Sequence, residues 1–152
     1  MKKFRYSMQS LLVIKQKLED QAKAAYGAAK LRLNEEEERL IAMEKKREAF
    51  VEEKRQVMAT RLDVPKLNRL QMAVEAMDDQ IVRQKQNVKK AEMAVRTAEE
   101  RLVEAMTERK TQERLRENAF EVYRQEMNAE EQKEIDERTS FRYGSVTEAE
   151  EA

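Results

Sequence analysis

A single proline most constrains how this chain can fold. Pro65 lies within the stretch from Ala59 to Lys66, and long, highly charged sequences without another proline flank it on both sides. Proline lacks a backbone N–H and clashes with the preceding helical turn, so it breaks a helix interior but is accepted in a first turn. Val64 is driven towards an extended conformation because it precedes the proline. Asp63 can cap a helix that begins there. The stretch therefore predicts the bend of a helical hairpin.

The composition favours a coiled coil over a globular domain. Of the 152 residues, 41% are charged and 5% are aromatic, and there are only two glycines to form turns. Such a bias is typical of long paired helices. Full disorder would require charge without an apolar period, and an apolar period is present on both sides of the bend.

The first arm, residues 1–58, carries apolar and long side chains at alternating spacings of three and four, the repeat of a coiled-coil seam. The predicted seam positions are Met8, Leu11, Lys15, Leu18, Ala22, Ala25, Ala29, Leu33, Glu36, Leu40, Met43, Arg47, Phe50, Lys54 and Val57. Two successive steps of four, from Ala25 through Ala29 to Leu33, predict a stutter that locally unwinds the supercoil.

The second arm, residues 67–138, follows the bend at 59–66 and has a more regular seam. Its predicted positions are Leu67, Leu70, Val74, Met77, Ile81, Gln84, Val88, Ala91, Val95, Ala98, Leu102 and Ala105. The pattern is interrupted after Ala105 and returns at Leu115, Ala119, Val122, Tyr123 and Met127. The fold class predicted is all-α, with two long antiparallel helices forming a coiled-coil hairpin.

The arms are unequal in length, which leaves part of the second arm without a partner. Pairing outward from the bend brings Met8 level with Arg116, so the helix from about residue 117 is an unpaired overhang and a candidate docking segment. Residues 139–152, rich in β-branched, aromatic and acidic side chains, are expected to form a frayed tail.

The residue types needed for most catalytic chemistry are missing. The chain has no histidine and no cysteine, so it offers no imidazole base and none of the usual zinc ligands. Its two glycines lie far apart and cannot form a phosphate-binding loop. We therefore expect no enzymatic activity, no cofactor and no metal site.

Targeting signals and nucleic-acid signals are weak. No run approaches the ~18 apolar residues of a membrane span, so a cytoplasmic protein is expected. Lys2, Lys3 and Arg5 form one small basic group near Phe4 and Tyr6. Phosphate binding needs a larger cluster of cations on one face. Nucleic-acid binding, or membrane-surface binding through this group together with Leu11, Leu12, Val13 and Ile14, is therefore a less favoured interpretation than protein binding through helix faces.

The two ends of the chain resemble those of FliJ proteins, the stalk component of the bacterial flagellar export apparatus. The stretch from Phe4 to Lys15, FRYSMQSLLVIK, resembles the opening of that family, and EQKEIDER, from Glu131 to Arg138, resembles its closing acidic-basic motif. The resemblance implies an antiparallel coiled coil similar to the central stalk of rotary ATPases.

The resemblance also implies a function and a set of partners. The end with both termini would enter the pore of a hexameric flagellar export ATPase and promote ring assembly. The half near the bend would contact the membrane export gate, and the protein would bind flagellar export chaperones. This implies a place at the cytoplasmic face of the inner membrane at the flagellar base, with peripheral membrane association through partners only, in type III secretion, motility and chemotaxis. The alternatives are a generic coiled-coil adaptor, or the stalk of a related secretion system or rotary ATPase.

Two sets of site residues follow from the resemblance. The closing motif assigns ATPase-ring contacts to Gln132, Lys133, Ile135, Asp136 and Arg138. The family's gate-binding region corresponds to the start of the second arm, at Leu70, Met72, Val74, Met77 and Ile81. All of the second set except Met72 are also predicted seam positions, so contacts between the two arms are the competing interpretation.

Overall fold

The computed structural model describes residues 2–151 and consists of two long helices. Helix α1 is Gln9–Thr60 and helix α2 is Val64–Glu151. Within 2–151 no strand is formed, so the predicted all-α helical hairpin is confirmed. The chain divides into two compact units, and both helices contribute to each. We call them the bend unit, Glu19–Ala105, and the terminal unit, residues 2–18 and 106–151.

The connection between the helices is short and begins with a capped helix. Residues 61–63 link α1 to α2. The Asp63 carboxylate accepts a hydrogen bond from the backbone N–H of Lys66 at 3.2 Å, as predicted for a capping residue. Pro65 is the second residue of α2, where its missing N–H leaves no helical hydrogen bond unmade. The proline therefore starts α2 without bending it.

Inside the bend unit the two helices run antiparallel. Polar contacts join α1 to α2 at several levels, including Lys54 with Gln71, Arg47 with Asp78, and Glu36 with Gln84. The further an α1 residue lies from the bend, the further from the bend its α2 partner also lies. Only antiparallel helices pair in this way.

The α2 side of the bend-unit seam agrees with the sequence prediction. Every predicted position from Leu67 to Ala105 is buried or half-buried. The buried members are Leu70, Val74, Met77, Ile81, Gln84, Val88 and Ala91. The buried apolar side chains of the bend unit all belong to this stripe, and burying one large aliphatic side chain stabilises a fold by roughly 1.5–3 kcal/mol.

The α1 side differs from the prediction in its first turns. From Ala29 to Val57 the predicted seam positions are half-buried or buried, but Glu19 and Tyr26 occupy the seam where Leu18 and Ala25 were predicted. With these two residues the repeat is regular and contains no stutter. The reason is that the seam of α2 follows an uninterrupted heptad repeat. The residues of α1 that face it are therefore those that keep the same repeat.

A satisfied polar layer crosses the middle of the seam. Glu36 is 5% exposed and Gln84 is 4% exposed. The Gln84 side-chain amide donates to the Glu36 carboxylate at 2.6 Å and to its backbone carbonyl at 2.8 Å. Arg39 donates to the other Glu36 oxygen at 3.0 Å, and Asn87 donates to the Gln84 carbonyl at 3.2 Å. Because these groups are buried, only the aligned register satisfies them.

The terminal unit has a more polar seam than the sequence predicted. Leu12 is buried, and Lys15 forms an ion pair with Glu108 at 2.8 Å. Leu115 and Val122, predicted to resume the seam, are 43% and 53% exposed. The half-buried α2 side chains are Met106, Glu108, Arg109, Gln112, Glu113, Ala119, Tyr123 and Met127. The seam therefore continues with long polar side chains whose ends pair with one another, as Lys15 does with Glu108 and Arg109 with Glu113.

Helix α2 extends further than the sequence indicated. It continues to Glu151, past the predicted end near Arg138 and through the predicted tail at 139–152 as far as the structure describes it. Thr139 and Thr147 direct their hydroxyls back to the carbonyls of Ile135 and Tyr143, so these side chains are accommodated within the helix. One glycine, Gly144, costs a helix only about 1 kcal/mol.

Two methionines on α2 provide a matched test of the seam. Met77 is 4% exposed and Met72 is 69% exposed. We expect Met77→Ala to lower the free energy of unfolding by about 3 kcal/mol, because it leaves a cavity between the helices. Met72→Ala should change it by less than about 0.5 kcal/mol. Urea denaturation followed by circular dichroism measures both, and equal effects of the two substitutions would contradict the placement of the seam.

Candidate protein-docking site in the terminal unit

Residues 2–8 precede α1 and form a non-helical strap along α2. Phe4 packs edge-to-face against Phe120, with ring centroids 5.2 Å apart and planes at 80°, and its ring lies 5.5 Å from that of Tyr123. The Arg116 guanidinium lies 5.7 Å from the centre of the Phe4 ring. Each aromatic pair of this kind contributes about 0.5–1.5 kcal/mol beyond simple burial. Phe4 is thus the main anchor of the strap.

Hydrogen bonds fix the strap on both sides of this ring cluster. The Tyr123 hydroxyl donates to the Lys2 carbonyl, and the Tyr6 hydroxyl donates to the Gln112 side chain at 3.3 Å. Where α1 begins, the Arg116 guanidinium donates to the Gln9 side chain at 3.2 Å. The strap therefore extends intramolecular pairing along α2 to Tyr123, beyond the predicted start of the overhang near residue 117.

A groove of about 1000 Å³ lies between the strap and α2. Basic side chains from the strap and acidic side chains from α2 both line it: Lys2, Lys3, Arg5, Glu126, Glu130 and Glu134. Ala119, Val122 and Met127 add apolar surface. Since the two signs of charge lie in one groove, it lacks the one-sided cation cluster that phosphate binding needs. An amphipathic protein segment fits its chemistry better.

The C-terminal part of α2, which lines one end of the groove and continues past it, has no covered face over residues 128–150. The side chains of residues 128–150 are all exposed. Ile135, Phe141, Tyr143 and Val146 are among them, with Ile135 54% and Phe141 78% exposed. Single exposed apolar residues are ordinary on protein surfaces. A helical segment whose every side chain is exposed lacks the tertiary packing that normally supports a helix, and it can gain that packing from a partner.

All five residues assigned to the ATPase ring lie in this exposed segment. Gln132 and Asp136 share one side of the helix and are joined by a hydrogen bond of 3.1 Å. Lys133 lines the groove. Ile135 lies three residues after Gln132 and three before Arg138, so by helical periodicity it shares a side of the helix with each of them. The five residues therefore form a continuous band around more than half of the helix, from Lys133 at one edge to Arg138 at the other.

The residues assigned to the export gate are separated by burial. Leu70, Val74, Met77 and Ile81 are between 4% and 8% exposed and belong to the seam of the bend unit, whereas Met72 is 69% exposed. A partner that binds the closed hairpin can reach Met72 but not the other four.

The strap was the feature that sequence analysis missed. Phe4 and Tyr6 stand out as aromatic residues in a chain with few, and Phe120 and Tyr123 are three residues apart on one helix face. That pairing of aromatic residues near both ends was the only signal.

Within residues 2–151 no group of acidic side chains is arranged to hold a metal ion. None of the helices there is apolar enough over a sufficient length to cross a membrane.

The fold and this surface define an all-α hairpin protein whose exposed features suit protein docking. The model of the flagellar FliJ protein family matches residues 4–148, nearly the whole chain. The chain therefore belongs to the flagellar FliJ protein family.

No curated protein matches the chain. Among solved structures, a Chlamydia trachomatis protein provisionally assigned as a homologue of YscO is similar, with 18% sequence identity and a TM-score of 0.49, covering 91% of this chain and 93% of its own.

The strap makes a testable prediction about local stability. Phe4→Ala should speed tryptic cleavage after Arg5 about tenfold, because losing the ring contacts weakens strap closure by about 1.5 kcal/mol. Cleavage is measured by mass spectrometry under native conditions. Phe141→Ala, which alters an exposed ring, is the control and should leave the rate unchanged. A strap cleaved equally fast in the parent and in Phe4→Ala would contradict the anchoring role of Phe4.

Proposed function

We propose that this chain is the stalk protein of the flagellar export apparatus. In this role it has no catalytic activity of its own, promotes assembly of the hexameric export ATPase ring and links the ring to the membrane export gate. Membership of the FliJ family supports this assignment. The observation that carries it is the C-terminal part of α2, which is helical but wholly exposed over residues 128–150.

The exposed end of α2 is the proposed ATPase-binding element. A single helix is narrow enough to enter a ring, and contact with the ring would bury side chains that α1 leaves uncovered. In this proposal Gln132, Lys133 and Asp136 provide polar contacts, Ile135 provides an apolar anchor and Arg138 provides a cation on another side. The mixed charges of the groove beside Lys133 would orient the helix, since charge complementarity fixes register more than it adds affinity.

The gate contact is proposed at Met72 on the outer surface of the bend unit. Met72 is the one accessible member of the five assigned residues. The other four support the contact indirectly by holding α2 in the hairpin. Export chaperones are proposed as further partners of the exposed helix faces, with the protein at the cytoplasmic face of the inner membrane at the flagellar base.

The ATPase role is tested by truncation after Asn128, which removes the exposed segment and retains Phe120, Tyr123 and Met127 for contact with the strap. With the export ATPase of the same organism, we expect the full chain to stimulate hexamer formation and ATP turnover. The truncated chain should melt cooperatively but give no stimulation. Equal stimulation by both forms would place ring binding elsewhere.

A matched pair of isoleucines refines this test. Ile135 and Ile41 are 54% and 50% exposed on α2 and α1, respectively. Ile135→Asp should weaken ATPase binding about tenfold by placing a charge in an apolar contact, while Ile41→Asp should have no effect. Pull-down titrations measure both.

The gate contact is tested in the same way. Met72→Asp should reduce capture of the cytoplasmic domain of the gate protein about tenfold. Met93→Asp is the control, because Met93 is 67% exposed on the same helix. Unchanged capture by Met72→Asp would show that the gate binds another surface.

A further inference from the structure

The closed end of the hairpin exposes three apolar side chains within seven residues of sequence. Met58 lies in the last turn of α1, Leu62 in the connection and Val64 in the first turn of α2. They are 62%, 73% and 54% exposed. Scattered exposed apolar residues need no explanation, but three on the short segment that closes the hairpin form a local apolar tip.

The same end of the hairpin is strongly basic. Residues 54–69 contain five lysines and arginines and a single acid, Asp63, in a chain whose totals are balanced at 31 and 31. The Asp63 carboxylate is engaged as the cap of α2. For the side chains of Arg61, Lys66 and Arg69 the structure shows neither an ion pair nor a hydrogen bond with any residue in 2–151. These cations are therefore available to an external anion.

Apolar side chains surrounded by free cations match the chemistry of an anionic bilayer surface. Apolar groups enter the boundary between headgroups and acyl chains, while lysine and arginine are attracted to the anionic headgroups. Nucleic acid fits less well, because residues 54–69 contain no aromatic side chain on which a base could stack. A protein groove would require a continuous apolar helix face, and here the apolar residues are divided between two helix ends and the connection.

We propose that the bend tip, formed by Met58, Arg61, Leu62, Val64, Lys66 and Arg69, binds directly to anionic lipid bilayers. Leu62, the most exposed of the apolar three, inserts at the interface, and Arg61 and Lys66 on either side of it contact headgroups. The association is peripheral. It is independent of the proposed ATPase and gate contacts, which use other surfaces.

The test is co-sedimentation of the full chain with vesicles of phosphatidylcholine alone, or of phosphatidylcholine and phosphatidylglycerol in equal amounts. Binding to the anionic vesicles only, and weakening as salt is raised, is the expected result. Arg61→Ala should lower the partition coefficient about fivefold. Leu62→Ser should lower it about tenfold at every salt concentration, because this substitution removes an apolar contribution and leaves the cations in place.

Two exposed residues of the same unit serve as controls. Met93→Ser and Arg96→Ala alter an apolar side chain and a cation away from the tip and should leave vesicle binding unchanged, with all variants equally helical by circular dichroism. The proposal is overturned if the full chain binds neither kind of vesicle. That result would favour a protein as the partner of the tip. It is equally overturned if tip and control variants lose binding to the same extent, or if neutral vesicles bind as well as anionic ones.

Discussion

Burial of the apolar stripe of α2 against α1 is the interaction on which the hairpin depends. The stripe from Leu67 to Ala105 is interrupted by one polar residue, Gln84. The facing seam of α1 is far more polar and includes Arg47 and Lys54. These long side chains pack their stems in the seam and place their charged ends on polar groups of α2. The most deeply buried apolar side chains thus belong to α2, and polar contacts from α1 help to set how the two helices are aligned.

Polar contacts within the seam explain why the two helices pair in one register although their heptad patterns are nearly uniform. A purely apolar seam could slide by a heptad with little loss of packing. The Glu36–Gln84 layer prevents this, because a shifted pairing would leave a carboxylate and an amide buried without partners. A single polar layer of this kind specifies alignment in coiled coils at some cost in stability.

The surfaces that bear on function are those that pairing leaves uncovered. In the terminal unit, the strap closes over Phe120 and Tyr123 and leaves a groove of mixed charge beside a wholly exposed stretch of α2. In the bend unit, the tip combines apolar and basic side chains, and Met72 lies on the outer face. Each surface has its own chemistry, so one hairpin can offer separate sites to separate partners.

The sequence by itself determined the fold class, the bend at Pro65 with its Asp63 cap, and the α2 seam, because local rules of helix breaking, capping and heptad spacing govern each of them. Only the tertiary structure decided the phase of α1 near Tyr26, since Ala25 and Tyr26 both satisfy spacings of three and four and the partner helix selects between them. It also decided the strap, because Phe4 and Phe120 are distant in the chain and no local period predicts their contact. The exposure of Met72 beside the buried Met77 could be predicted from the α2 heptads. The accessibility of a long helix end could not, since it depends on how much of α2 the rest of the chain covers.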